Sequence, residues 1–206
     1  MRIATNTNWF TKRAASKALR AGQVIAYPTD TIYGLGADAT SAKAVECVRA
    51  IKGRDADKPI LAMVADRAML AEYAVMTPLA EQLADAFLPG PLTLVLQAKG
   101  DALVPLTAPD GSVGFRMPDT AFCLQLTKTL KRPITSTSIN RSGEEPTRDV
   151  RQAVASLRDQ ADALALVIDV GPTDNTQPST VVDARGERAV VLREGAVSNA
   201  QLERFI

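Results

Sequence analysis

Residues 134–147 read ITSTSINRSGEEPT, with hydroxyls at four consecutive positions, Thr135, Ser136, Thr137 and Ser138. The run PITSTS has the composition of a core strand, and hydroxyls on both faces deprive such a strand of apolar contacts. Ser138 and Asn140 fall where that strand ends, before an apparent Ser142-Gly143 turn, with Thr147 a little further on. In an open α/β sheet the C-terminal ends of strands are where ligands bind, and these groups suit hydrogen bonds to a nucleotide. The structural alternative is an edge strand whose hydroxyls pair locally.

A second cluster is KGRDADKP, 52–59, which brings Lys52, Arg54 and Lys58 together at a helix end and the loop after it. Cations there complement the helix C-terminal dipole, which accounts for Lys52. It accounts less well for a Lys-x-Arg followed by Lys58 running straight into a strand. Converging guanidinium and ammonium groups are what a polyphosphate needs where no glycine-rich loop supplies backbone amides. There is no G-x-x-x-x-G-K-[ST] in the chain.

The third stretch, YPTDTIYGLGADA (27–39), satisfies the letters G-x-G-x-x-A through Gly34, Gly36 and Ala39. A dinucleotide fingerprint needs its third small residue inside a helix, and an acidic residue ending the next strand about 20 residues on. Here Ala39-Thr40-Ser41 reads as the approach to a helix not yet begun. Asp55 and Asp57 fall in a charged loop. The glycines are better explained by close backbone approach or a bulge. Thr29 and Thr31 present hydroxyls beside them, fit for a small polar ligand or for local capping. Arg116 (in VGFRMP), Ser179 (in PSTVVD) and Arg193 (in VVLREG) also fall at predicted strand ends.

Positioning these groups requires a scaffold, and apolar periodicity predicts helices over 10–21, 41–51, 67–74, 78–87, 120–130 and 150–160. A short final helix opens at Ser198, with Gln201 at capping-box spacing. Gly22 and Gly53 are expected helix-ending residues, and Thr77-Pro78 and Asp119 expected starts. Predicted strands are 23–27, 59–64, 92–97, 113–117, 133–138 and 165–169, with 179–183 and 189–194 forming an antiparallel hairpin. Strands alternating with helices imply an α/β fold with a mixed sheet. The loop-rich 171–179 is a connection or a substrate lid.

The composition is ordinary for a soluble domain: 206 residues, 46% hydrophobic, 23% charged and net charge +1. One domain over 1–206 is expected. With no global field to draw it to nucleic acid, any such contact has to use a local patch. No histidine is present, which removes imidazole acid–base chemistry and His-ligated zinc. Cys47 and Cys123 each fall in a predicted helix without a CxxC partner and read as reduced, buried thiols. No stretch approaches the ~20 apolar residues of a membrane span, so a cytoplasmic location without membrane contact is expected.

In order along the chain, YPTDTIYGLG, KGR with Lys58-Pro59, PGPLT, VGFRMP, TSTSIN-x-SG, PSTVVD and LREG resemble the threonylcarbamoyl-AMP synthase family, the YrdC/TsaC proteins. The resemblance implies an open twisted mixed α/β sheet flanked by helices around a deep, positively lined cavity, and the short form lacking a further C-terminal domain. It implies condensation of ATP, L-threonine and bicarbonate to threonylcarbamoyl-AMP and pyrophosphate, a nucleotidyltransferase reaction feeding tRNA threonylcarbamoyladenosine. Mg²⁺ would accompany the ATP. By resemblance Lys52 and Arg54 act catalytically on the phosphates. Thr31, Arg116 and Ser179 bind threonine, and Lys58, Ser138, Asn140, Thr147 and Arg193 join Lys52 and Arg54 on ATP. No protein ligand to a metal is implied. Ile139 stands where the family has alanine, which bears on the nucleotide pocket's shape. Partners implied are the tRNA threonylcarbamoyl-transfer proteins and weak tRNA or RNA binding.

The chemistry fits without histidine, because carbamate attack on an α-phosphate needs positioning and charge neutralisation more than covalent help. Two rivals stay open: an RNA-binding module without ATP turnover, and a carbamoyl-transfer maturation module acting on another acceptor. Low aromatic content, 4%, weighs against single-strand RNA recognition.

Overall fold

A computed structural model describes residues 1–53, 58–173 and 177–206. In chain order the elements are β1 (Arg2–Ala4), α1 (Trp9–Arg20), β2 (Val24–Tyr27), β3 (Gly34–Gly36), α2 (Ala42–Lys52), β4 (Leu61–Met63), α3 (Arg67–Tyr73), α4 (Pro78–Phe87), β5 (Leu92–Gln97), β6 (Ser112–Arg116), α5 (Ala121–Leu130), β7 (Ile134–Ser138), α6 (Val150–Ser156), β8 (Leu164–Ile168), β9 (Thr180–Asp183), β10 (Val190–Arg193) and α7 (Asn199–Leu202). Ten strands form one sheet in the order β1-β8-β2-β3-β7-β4-β6-β5-β9-β10. Parallel pairs (β1 and β2 on β8, β4 on β6, β5 on β9) alternate with antiparallel ones, so the sheet is mixed as expected.

Local chemistry explains the helix ends. Ser41 caps α2 through the Ala44 N–H, and Gly53 closes it in the left-handed region at φ 56°. Thr77 caps α4 with Pro78 in its first turn. The start expected at Asp119 falls one residue later, at Thr120. Asp119 instead donates its backbone N–H to Asp30 Oδ2 at 3.1 Å. The helix expected over 150–160 ends at Ser156 and gives way to a 3₁₀ turn over Arg158–Ala163, where Arg158 adopts φ 53°. Cys123 is buried, but Cys47 is exposed, contrary to the sequence expectation. It lies on the outer face of α2, whose inner face carries Ala44, Val45 and Val48.

Two strands escaped the sequence reading. β1 is a three-residue edge strand, too short for a periodic signal. β3 is the glycine stretch itself. Gly34 pairs with Tyr27 and Gly36 with Ile25 across the β2–β3 ladder. A Cβ on Gly36 would lie 2.8 Å from Tyr27 Cε1, and one on Gly34 3.1 Å from Cζ. The glycines therefore make room for a buried tyrosine ring, as close backbone approach requires, and hold no dinucleotide turn. The Tyr27 hydroxyl donates to the Thr135 carbonyl at 3.1 Å.

The two sides of the sheet are covered unequally. One side packs Val24, Ala26, Leu35, Ala62, Leu94 and Phe115 against α2, α3, α4 and α6. The other packs Ile25, Tyr27, Met63, Ile134 and Leu166 against α1 and α5 only. Leu19 and Leu126, both fully buried there, each contribute about 2 kcal/mol of burial. Beyond the reach of α1 and α5, this second side is left open from Leu61 of β4 across β6, β5, β9 and β10, and there the site forms.

Candidate functional site

Strand register decides which side chains meet. Arg116 pairs with Met63 on one flank and with Thr93 on the other; Thr93 pairs with Val181, and Val181 with Arg193. Residues in one cross-strand row share a face of the sheet. Met63 belongs to the core under α1 and α5, so Arg116 and Arg193 face its side of the sheet, three strands apart. The row below it contains Leu61, Gly114 and Val95. A Cβ on Gly114 would sit 2.6 Å from Leu61 Cδ2, so glycine keeps the floor of this region low.

Above that floor lies a hollow of about 690 Å³. Its polar rim includes Thr31, Arg116, Ser136, Ser138, Ser179 and Arg193, and its apolar wall includes Val95, Val113, Val181 and Leu192. Of the residues expected from sequence, Thr31, Arg116, Ser138, Ser179 and Arg193 thus open onto one shared space.

Arg116 is 5% exposed, and its Nη2 donates to Asp30 Oδ1 and, at 2.6 Å, to Thr31 Oγ1. Thr31 is itself held by Thr29, whose Oγ1 accepts from the Thr31 N–H at 3.1 Å and donates to the Ile32 carbonyl at 2.7 Å. These threonines therefore both cap the local backbone and line the hollow. The Nε of Arg116 is buried and has no acceptor among the described residues. A buried donor without a partner costs about 1–3 kcal/mol.

At the other end of the row, Arg193 Nη2 donates to the Ser179 carbonyl at 2.7 Å, and Ser179 Oγ lies 2.8 Å from Thr93 Oγ1. Burial, and behind it the nearby Arg116 charge, pull the Arg193 guanidinium below its ordinary value. Two guanidinium groups facing one hollow repel each other, and an anion between them removes that repulsion.

The remaining expected residues stand outside the lining. Lys52 is 1% exposed, and its ammonium donates to the Ser138 carbonyl, to the Asn140 carbonyl at 2.9 Å and to Asn140 Oδ1 at 3.1 Å. It holds the exit of β7 from behind. Asn140 folds back on its own loop, with Oδ1 accepting from Ser138 Oγ and Nδ2 donating to the Arg141 carbonyl at 3.0 Å. Lys58 is exposed and donates to Ser142 Oγ at 3.2 Å. Thr147 bonds Gln152 Oε1 and the Asp149 N–H ahead of α6. Arg54 lies outside the described residues, as do 174–176 of the loop suggested as a lid. Ile139 is 2% exposed and packs in the core, so its bulk falls away from the hollow.

β7 is no edge strand: it pairs antiparallel with both β3 and β4. Thr135 is fully buried between the Leu35 carbonyl and the Ala37 N–H, whereas Ser136, Thr137 and Ser138 reach the hollow. Asp30, Thr93 and the apolar wall were not singled out from sequence. Asp30 and Thr93 stand inside quoted motifs, but only register and side-chain contacts reveal their work.

Among the described residues no group of three or more His, Cys, Asp or Glu side chains is arranged to hold a metal ion. Hydroxyls dominate this site, and its charged lining is Arg116 and Arg193 with the single carboxylate of Glu145.

The family model for Sua5_yciO_yrdC, described as telomere recombination, matches residues 17–195. A threonylcarbamoyl-AMP synthase of Bacillus subtilis is 37% identical over 99% of this chain, which spans 58% of that relative's length. One from Vibrio vulnificus is 37% identical, covering 87% of this chain and 95% of its own. The crystal structure of Pyrococcus abyssi Sua5 complexed with L-threonine superposes with a TM-score of 0.88 at 31% identity, over all of this chain and 60% of that one. The matched span runs from within α1 past the end of β10, taking in every strand and hydroxyl that shapes the hollow, and the chain belongs to the Sua5/YciO/YrdC family.

Proposed function

We propose that this chain is an L-threonylcarbamoyladenylate synthase: a single YrdC-like domain over 1–206 that joins ATP, L-threonine and bicarbonate and releases pyrophosphate. The observation that carries the reading is the cross-strand row that aims Arg116 and Arg193 into one hydroxyl-rimmed hollow, with the buried Arg116 Nε having no acceptor among the described residues. Relatives named threonylcarbamoyl-AMP synthase, and one bound to L-threonine, support it.

In this reading the threonine carboxylate meets Arg116, with Thr31 and Ser179 flanking the amino acid. The amine adds to bicarbonate with loss of water, giving a carbamate. One carbamate oxygen then attacks the α-phosphorus of ATP, and the bond to the β-phosphate oxygen breaks to release pyrophosphate. Three anionic species must coexist, so neutralisation is the main task. Arg193, Lys58 and Arg54 take the phosphate charge, with Ser138 and Thr147 toward the nucleotide. Lys52 and Asn140 serve the same nucleotide site by setting where Ser138 stands. Mg²⁺ enters on the ATP phosphates as part of the substrate and neutralises charge there. A cytoplasmic setting suits these substrates. Among the described residues no helix is long and apolar enough to cross a membrane. The unstable product has to be consumed by a tRNA threonylcarbamoyl-transfer protein.

The test follows pyrophosphate release from Mg-ATP while threonine or bicarbonate is omitted in turn. Release needing both, and lost in Lys52→Ala and Arg54→Ala, is expected. Indifference to threonine would point to carbamoyl transfer onto another acceptor. RNA binding in the hollow without turnover would point to a binding module.

A further inference from the structure

Thr93 stands in the middle of the row that joins the two arginines, paired with Arg116 of β6 on one flank and with Val181 of β9 on the other. It is fully buried and lies beneath the hollow, outside its lining. Valine has the same branched shape, suits a strand as well and brings no polar group into the core. A hydroxyl at this buried place therefore calls for a partner.

The surroundings orient the side chain. A Cβ on Gly114 would lie 3.4 Å from Thr93 Cγ2, so the methyl is turned toward β6. The hydroxyl is turned the other way, toward the start of β9, where Oγ1 lies 2.8 Å from Ser179 Oγ. Among the described residues Thr93 Oγ1 has no other hydrogen-bond partner.

Counting protons fixes which oxygen donates. A hydroxyl carries one proton and two lone pairs, and buried polar groups are rarely left unpaired. The Thr93 proton has Ser179 Oγ as its acceptor. Arg193 Nη2, which can only donate, approaches the same oxygen at 3.5 Å. Ser179 Oγ thus accepts from both neighbours, and its own proton is left to point into the hollow that Ser179 lines. The backbone there is held independently of Thr93. The Ser179 carbonyl accepts from Arg193 Nη2 at 2.7 Å, and the Thr180 N–H donates to the Pro91 carbonyl at 3.0 Å. The Ala196 N–H donates to the Pro178 carbonyl, also at 3.0 Å. Loss of the Thr93 hydroxyl frees one side chain to rotate and leaves the strand in place.

We propose that Thr93 is a positioning residue: by donating to Ser179 Oγ it commits the Ser179 hydroxyl to donate to a carboxylate oxygen of the bound amino acid. The proposal rests on reading the hollow as a threonine site.

The experiment is a double-variant cycle on the whole protein, with Thr93→Val and Ser179→Ala alone and together, and Thr93→Ser as the conservative replacement. Threonine binding is read by calorimetric titration without ATP, and pyrophosphate release by steady-state kinetics. Thr93→Val is expected to weaken threonine binding about tenfold, the low end for a hydrogen bond to a charged group. The KM for threonine should rise by the same factor, while the KM for ATP stays within about twofold. Thr93→Ser keeps the proton and should bind threonine within about twofold of the unaltered protein. Adding Thr93→Val to Ser179→Ala should cost less than about twofold more, because the hydroxyl that Thr93 orients is already gone. Full additivity in the cycle, no recovery in Thr93→Ser, or equal losses for threonine and ATP would each overturn the proposal. Unaltered protein that binds threonine but releases no pyrophosphate would sink the synthase reading alone, because the cycle is still read from binding.

Discussion

Arg116 Nη2 is shared between the Asp30 carboxylate and the Thr31 hydroxyl, two adjacent residues of a loop 85 positions earlier in the chain. Asp30 is in turn fixed by the Asp119 N–H, at the approach to α5. The side chains of Arg116 and Asp30 are 6% and 11% exposed, so this is a buried pair whose geometry is held from both ends. Asp30 thereby holds Arg116 in place through Nη2.

Breaking the pair should separate positioning from chemistry. Asp30→Asn keeps an acceptor but removes the countercharge, and losing one partner of a buried pair costs about 3–5 kcal/mol. The amide should bring the loss to about 3 kcal/mol, read from urea midpoints. Threonine affinity should fall about tenfold, or about 1.4 kcal/mol, while ATP affinity changes less than about twofold. Equal losses for both ligands in calorimetric titrations would show general damage to the hollow.

Gly36 tests the reading of the glycine stretch. Alanine there meets Tyr27 Cε1 at 2.8 Å and Ile134 Cγ2 at 3.1 Å, and overpacking of a closed core costs about 1–3 kcal/mol. Adding Tyr27→Leu should relieve much of that cost, so the double variant is more stable than the summed single effects require. Strict additivity in thermal melts would deny that the ring and the glycine share one space.

Acid stability has an identifiable contributor. Hydrogen bonds from Ser112, side chain and backbone, and from Arg185 lower the Asp110 carboxyl from its ordinary 3.8 to about 2. The folded chain therefore binds fewer protons than the unfolded one between those values. The stabilisation is present above about pH 4 and fades as pH falls through 2. Asp110→Asn should flatten this part of the stability–pH curve, and an identical curve between pH 4 and 2 would remove Asp110 from the account.

The two thiols should behave unequally. Cys47 is exposed, whereas Cys123 is fully buried, donates to the Pro28 carbonyl at 3.2 Å and is pushed by burial up to about 12. A disulfide-forming chromogenic reagent at pH 8 should therefore label one thiol per native chain and two after unfolding. Rapid labelling of both in the native state would mean that α5 opens easily.

Much of the framework was legible in the residues. Capping signals at Ser41, Gly53 and Thr77 act over three or four positions, so they set α2 and α4 before any tertiary contact exists. Alternation of β-branched residues located eight of the ten strands for the same reason. Where local pattern and tertiary demand diverged, sequence reasoning stopped short. Gly34–Gly36 carries no strand signal because glycine disfavours strands, and only the Tyr27 ring above it makes glycine the residue that fits. Cys47 reads as a buried thiol for want of a CxxC partner, yet its angular position on α2 turns it outward.

By itself, then, the order of residues determined the α/β alternation, the helix ends, the absence of histidine chemistry and the hydroxyl and cationic motifs. Tertiary structure alone decided which of those motifs meet. Arg116 and Arg193 share a row through the register of four strands, and Lys52, although in the basic motif, points behind Ser138 instead of into the hollow. Register and helix packing are set by long-range burial, which strand-by-strand composition does not encode.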